Sequence, residues 1–166
     1  MGRRYRTLIP GPALFFATAS TKDRMNVFGN ELVLESVESN LFEVNRSKKT
    51  VLMGYVIMPN HVHFLIGSAK GGTGISEFFH SFKALVRIRN SGKKRIWEDG
   101  FDDLEIKQME QFYIKLNYIH NNPVKRGLVA EPGEWKYSSF KFWTNDKPDS
   151  NLVKDFEWMS GKNDIR

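Results

Sequence analysis

Tyr55-Val56-Ile57-Met58-Pro59-Asn60-His61-Val62-His63-Phe64-Leu65-Ile66 is two apolar runs hinged at Pro59-Asn60. Runs of strand length on either side of a Pro-Asn turn signal predict a tight β-hairpin. Side chains on a strand alternate between faces, so residues two apart share a face. His61 and His63 are therefore expected together on the exposed face of the hairpin, with Val62 and Phe64 on the opposite one. Neutral imidazole nitrogens are good ligands for divalent metals, and a strand holds them rigidly. Two solvated polar residues on a hairpin would look the same, so chemistry requires a second constellation elsewhere in the chain.

Working outward, Ala13–Ser20 reads as a first strand, and a helix is predicted over Asn30–Arg46 with Leu32, Val33, Val37, Leu41 and Val44 on its apolar stripe. The hairpin supplies strands Val51–Met58 and His61–Gly67. Lys70–Gly74 is a glycine-rich loop without the Gly-Lys-Ser/Thr of a phosphate-binding loop. Ser76 suits the N-cap of a second helix that buries Phe78, Phe79, Phe82, Leu85 and Val86. An extended segment follows around Ile96–Gln108, then a third helix, Met109–Asn121, which Pro123 is expected to stop. The order β-α-β-β-α-β plus a helix predicts an α+β fold: a ferredoxin-like split-βαβ sandwich with an antiparallel sheet and a C-terminal helix. Residues 1–144 form the domain, and 145–166 read as a weakly packed tail.

The chain has 166 residues, 40% hydrophobic and 13% aromatic, enough for one domain with a real core. A net charge of +6 permits a polyanionic partner without requiring one. The absence of cysteine excludes disulfides, zinc ribbons and thiol nucleophiles, and it fits a reducing, cytoplasmic setting. Leu8–Ala19 after three arginines loosely imitates a signal peptide, but Pro10-Gly11-Pro12 interrupts it and Ala13–Ala19 makes a better first core strand. No stretch reaches the length of a membrane span, so a membrane is not expected as a partner.

Projected at about 100° per residue, Met109, Phe112, Tyr113, Leu116, Ile119 and His120 cluster on one side of the third helix. Tyr113 thus reads as a core aromatic and His120 as a half-buried packing residue. Tyr118 falls about 180° from Met109, where a core wants no aromatic, and Asn122 only about 40° from Tyr118.

Tyr55–Ile66 followed by Tyr118-Ile119-His120-Asn121-Asn122-Pro123-Val124-Lys125-Arg126-Gly127-Leu128-Val129 resembles the single-tyrosine HUH transposases, in particular the REP-associated tyrosine transposases. Ser81-Phe82-Lys83, Ile96-Trp97-Glu98-Asp99-Gly100-Phe101 and Trp135-Lys136-Tyr137-Ser138-Ser139-Phe140 occur in the expected order, so the resemblance spans roughly residues 13–143. It implies a single-stranded DNA endonuclease and strand transferase. Tyr118 would be the nucleophile that forms a 5′-phosphotyrosine. His61 and His63 would hold Mg²⁺ or Mn²⁺, with Asn122 as a third polar ligand. Single-stranded or hairpin DNA would be the partner, and such enzymes work as monomers or homodimers.

The second helix and the loop after it carry Lys83, Arg87, Lys93, Lys94 and Arg95, a candidate groove for a phosphate backbone. His80, Arg89, Arg3, Arg4, Arg6, Lys125 and Arg126 could extend it, and Trp97, Trp135 and Tyr137 either stack on bases or fill the core. The alternative function is a non-catalytic or domesticated nucleic-acid-binding module of the same fold. An RNA-recognition module lacks its aromatic strand motif here. A histidine-triad hydrolase would need a histidine where Leu65 stands.

Overall fold

A computed structural model describes residues 13–68, 74–92, 94–144 and 148–154. Strands β1 (Leu14–Ser20), β2 (Thr50–Met58), β3 (His61–Ser68) and β4 (Asp102–Ile106) form one antiparallel sheet in the order β2-β3-β1-β4. Met58 pairs with His61, so Pro59-Asn60 is the whole hairpin loop, as predicted. This is the split-βαβ order.

Helices α1 (Glu31–Lys48) and α2 (Ile75–Ser91) cover one face of the sheet. Asn30 caps α1 by accepting from the Val33 N–H at 3.0 Å, and Lys49 closes it in the left-handed conformation. The buried stripe of α1 is Leu34, Val37, Leu41 and Val44, and Leu32 points to solvent. Helix α2 begins at Ile75, capped by Gly74 rather than Ser76, because the Ile75 side chain is drawn into the core. Phe64 of β3 meets Phe78, Phe79 and Phe82 of α2, and each such burial is worth roughly 1.5–3 kcal/mol.

The opposite face is covered by α3 (Met109–Lys125), which packs Phe112, Leu116 and Ile119 on Leu14, Met53, Val56, Met58 and Leu65. This makes β3 a strand buried on both sides. A bulge between Leu52 and Gly54 lets Met53 and Val56 both face α3. A methyl group on Gly54 would stand 3.0 Å from Leu116 Cδ1, so glycine there lets α3 approach closely without moving that side chain.

Helix α3 runs through Pro123 to Lys125 and does not stop before the proline. Proline forfeits one helical hydrogen bond, and the last turn absorbs it. The stop comes from Gly127 at φ 70°, with Gly127 N–H bonded to Val124 O and Leu128 N–H to Pro123 O, a Schellman closure.

β4 is shorter than the predicted Ile96–Gln108 segment because the chain turns at Gly100 (φ 69°) first. Trp97 instead bridges to Thr21. The Lys83 ammonium holds this turn through the carbonyls of Glu98 (2.6 Å) and Gly100 (2.7 Å). The free edge of β2 is covered by residues 137–139, whose backbone pairs with Tyr55 and Ile57. Within the expected tail, Leu152 is buried and Val153 N–H reaches Leu52 O. A short helix α4 (Phe140–Thr144) lies between.

Candidate active site

The histidine pair lies on the sheet face under α3, not on an open surface. His61 is 2% and His63 5% exposed. Alternation along β3 does put both rings on one face, but the arrival of α3 buries that face. His63 stacks on Phe16 of β1 at 5.2 Å between centroids and meets His61 edge-on at 4.7 Å. Tyr118 meets both rings in edge-on geometry, its ring centre 5.3 Å from that of His63 and 5.8 Å from that of Phe16. Tyr118 itself stays 37% exposed at the mouth of the site.

Each histidine is oriented through its Nδ1. Asn60 donates through Nδ2 to Arg24 O, which turns its Oδ1 toward His61 Nδ1 at 2.7 Å. An amide oxygen only accepts, so His61 Nδ1 carries the proton and the other ring nitrogen keeps a lone pair. Thr18, paired with His63 across β1 and β3, places its Oγ1 2.7 Å from His63 Nδ1. His63 Nε2 is buried with no hydrogen-bond partner, and so is the Oδ1 of Asn122 from α3. Two orphaned buried polar atoms are expensive. Together with the neutral His61 ring, to which the Asn122 side chain hydrogen-bonds, they make a donor set whose chemistry suits a divalent cation. Among the described residues no group of three or more His, Cys, Asp or Glu forms such a site, and Asn122 is the polar side chain hydrogen-bonded to His61.

Burial brings His61 down to about 4, with Arg24 and Arg126 adding to the shift and the Asn122 side chain opposing it. His63 falls to about 3, again chiefly by burial, then through His61, Arg24, Arg126 and Lys115. Both rings are neutral at pH 7, the form that binds metal. The charged side chains acting on the pair are all cations. Lys115 Nζ sits 4.7 Å from the Phe16 ring centre and 5.8 Å from that of Tyr118, and Lys125 Nζ lies 5.3 Å from Tyr118. Arg24 belongs to a turn in which Asp23 and Arg24 both take positive φ, 53° and 55°. Such strain at non-glycine residues persists only where neighbours enforce it. Here the bonds of Asn60 to Arg24 O and of Asp23 N–H to Glu98 Oε1 do so.

Tyr118, His61, His63 and Asn122 are thus brought together, with Lys125 and Arg126 beside them, and the basic residues of α2 and of the loop after it are not part of this cluster. Lys83 is tied to backbone carbonyls, which engages it in the fold rather than leaving it for a phosphate. Burial lowers its proton affinity. Lys83 and Arg87 both belong to α2, across the sheet from Tyr118. Arg95 pairs with Asp99 at 2.9 Å, and Lys94 is exposed. Arg89 binds Asn40 and Glu43 and so joins α2 to α1. Lys93, Arg3, Arg4, Arg6 and most of the Lys70–Gly74 loop lie outside the described residues. Trp97 and Tyr137 are buried, and Trp135 donates to Ile57 O at 3.0 Å, so the three aromatics build the fold.

Tyr113 is 47% exposed rather than core, whereas His120 is fully buried against Phe140, with Nε2 2.9 Å from Ser139 Oγ. Sequence reasoning missed Phe16, Thr18, Arg24, Asn60 and Lys115. Only Lys115 left a trace, one turn before Tyr118 on the same helix.

Residues 17–122 match the sequence family described as transposase IS200 like. The chain is 25% identical over 138 residues to the REP-associated tyrosine transposase of Escherichia coli (strain K12), covering 83% of this chain and 81% of that protein. Its fold matches the structure of a REP-associated tyrosine transposase bound to a REP hairpin, with a TM-score of 0.74, 23% identity and coverage of 95% and 96% of the two chains. No helix among the described residues is long and apolar enough to cross a membrane. This chain belongs to the IS200-like transposase family.

Proposed function

We propose that this IS200-like transposase nicks and rejoins single-stranded DNA through a covalent bond to Tyr118, using Mg²⁺ or Mn²⁺. The observation that carries the reading is Tyr118 packed edge-on against His63, whose Nε2 is buried and unpartnered along with Asn122 Oδ1. Hairpin-bearing DNA is the favoured substrate, by analogy with the relative whose structure holds a REP hairpin.

In the proposed reaction the Tyr118 oxygen forms a bond to the scissile phosphorus, and the bond from phosphorus to the 3′-oxygen breaks. The phenolic proton leaves to solvent and the 3′-oxygen gains one, leaving a 5′-phosphotyrosine and a free 3′-hydroxyl. The phosphotyrosine conserves phosphodiester energy, so a second 3′-hydroxyl restores the DNA backbone and the phenol without ATP. His61, His63 and Asn122 would hold the divalent cation, which when bound neutralises charge on the phosphate and polarises it. Asn60 and Thr18 fix the two imidazoles through Nδ1 so that the outer nitrogens face the site. Phe16 backs His63, and α3 holds the tyrosine ring against both. Lys115 and Lys125 bring positive charge to the ring. His120, buried and bonded to Ser139, positions the last turns of α3 and takes no proton from Tyr118.

Mixing the protein with a 5′-extended hairpin oligonucleotide and Mn²⁺ tests this. A denaturant-resistant protein–DNA adduct is expected, lost in Tyr118→Phe and in excess EDTA. Undiminished adduct in Tyr118→Phe overturns the assignment.

A further inference from the structure

Beside Tyr118, on the outward side of α3, an open groove of about 360 Å³ is lined by Ile114, Asn117, Tyr118, Asn121, Val124 and Lys125. Its size falls in the range of small-molecule sites. Ile114 is 58% exposed and offers its side chain to this groove. Asn121 Nδ2 donates to Asn117 O at 2.9 Å, so its Oδ1 is turned outward. Among the described residues the Asn117 carboxamide has no protein partner. No acidic side chain lines the groove, Lys115 and Lys125 flank the tyrosine that borders it, and Arg24 and Arg126 act on the adjoining His63.

We infer that this groove holds an unpaired nucleotide next to the scissile phosphate and reads its base. The inference rests on the proposed strand transfer at Tyr118 and adds to it the element that selects where the strand is cut. Ile114, Val124 and the tyrosine ring offer apolar and π surface for a base face. The Asn117 carboxamide, with donor and acceptor side by side, and Asn121 Oδ1 face the edge of such a base, the pairing by which asparagine reads nucleobases. Lys125 at the rim, with Lys115 across the tyrosine, suits the phosphates on either side, which fix the strand without reading it. A nucleotide here is contiguous with any phosphate that Tyr118 can attack, because Tyr118 is both a wall of the groove and the nucleophile. The charge around the groove favours a nucleic-acid strand over a second copy of this chain, since a symmetric α3–α3 contact would bring two copies of the same positive surface together.

The test is a single-stranded library randomised around the junction, presented with Mn²⁺ to wild type, Asn117→Ala/Asn121→Ala and Lys115→Ala/Lys125→Ala. Adducts are sequenced, helix content is checked by circular dichroism, and binding is titrated against salt. Wild type is expected to enrich one base at a single flanking nucleotide by roughly tenfold, and the asparagine pair to bring that position to near parity. The lysine pair should flatten the slope of log K against log salt by about 1.4, two contacts at about 0.7 each. An unchanged base preference in the asparagine pair, with wild type forming adduct, overturns the groove while sparing the proposed chemistry. Absence of adduct in wild type overturns both. Sedimentation as a dimer that Ile114→Lys dissociates, with DNA selection unaltered, assigns the groove to a second copy and also overturns the inference.

Discussion

The two faces of the central sheet are built to different ends. Under α1 and α2 lie Phe64, Phe78, Phe79, Phe82 and Phe28, all fully buried. Under α3 the apolar cluster is smaller and gives way, toward the start of β3, to His61, His63 and Asn122, with two orphaned polar atoms. A core selected only for stability would not bury such groups. The α1–α2 face, with Asn40 Nδ2 of α1 as its own orphan, carries most of the apolar core, and the other face gives up stability to hold a cluster of polar side chains rigid.

Acidification separates the faces most strongly. His61, His63 and His120 sit near the α3 side, held by burial at about 4, 3 and 4. Their folded values lie below the unfolded value near 6.5. Between about 6.5 and 4 the unfolded chain binds more protons, so stability of the metal-free protein falls as pH drops through that window. Each histidine adds up to about 1.4 kcal/mol per pH unit there. Urea denaturation at intervals from pH 7 to 4.5 checks this, and a flat profile would mean that the rings are not buried neutral.

Phe82→Ala cuts into the other face. A loss of about 3–5 kcal/mol is expected from chemical denaturation, with no change in pH slope. On the α3 face, Thr18→Val combined with His63→Leu removes both partners of a hydrogen bond along with the orphaned nitrogen. Stability should stay within about 1.5 kcal/mol of wild type, on the stable side if anything, while Mn²⁺ no longer raises the melting temperature. A large destabilisation would show His63 to be structural, and the contrast between the faces would fail.

Much of the first face is legible in the sequence and less of the second. Hairpin pairing follows from Pro59-Asn60, and the shared face of His61 and His63 follows from strand alternation. Alternation cannot say what covers that face, so the pair's burial becomes visible only with α3 in place. Centring the α3 stripe on Met109 placed it about 50° from the observed stripe of Phe112, Leu116 and Ile119. That error put Tyr113 inside, although Tyr118 falls outside on either centring. The bulge at Met53 depends on contacts between distant segments, which no local pattern encodes, whereas the true stop of α3 lies at Gly127, a local signal the reading of Pro123 overlooks. The basic run on α2 was readable as charge, but a run of charges does not declare which side of a sheet it will face. Lys83 in particular spends its ammonium on the turn at Gly100.

Proteolysis of the covalent adduct, followed by mass spectrometry of the nucleotide-bearing peptide, tests the central claim most directly. Tyr118 and Tyr113 share α3 and are both exposed, at 37% and 47%, yet only Tyr118 touches the histidine pair. The nucleotide is predicted on Tyr118 alone. Recovery on Tyr113, or on any residue away from His61 and His63, would contradict the account.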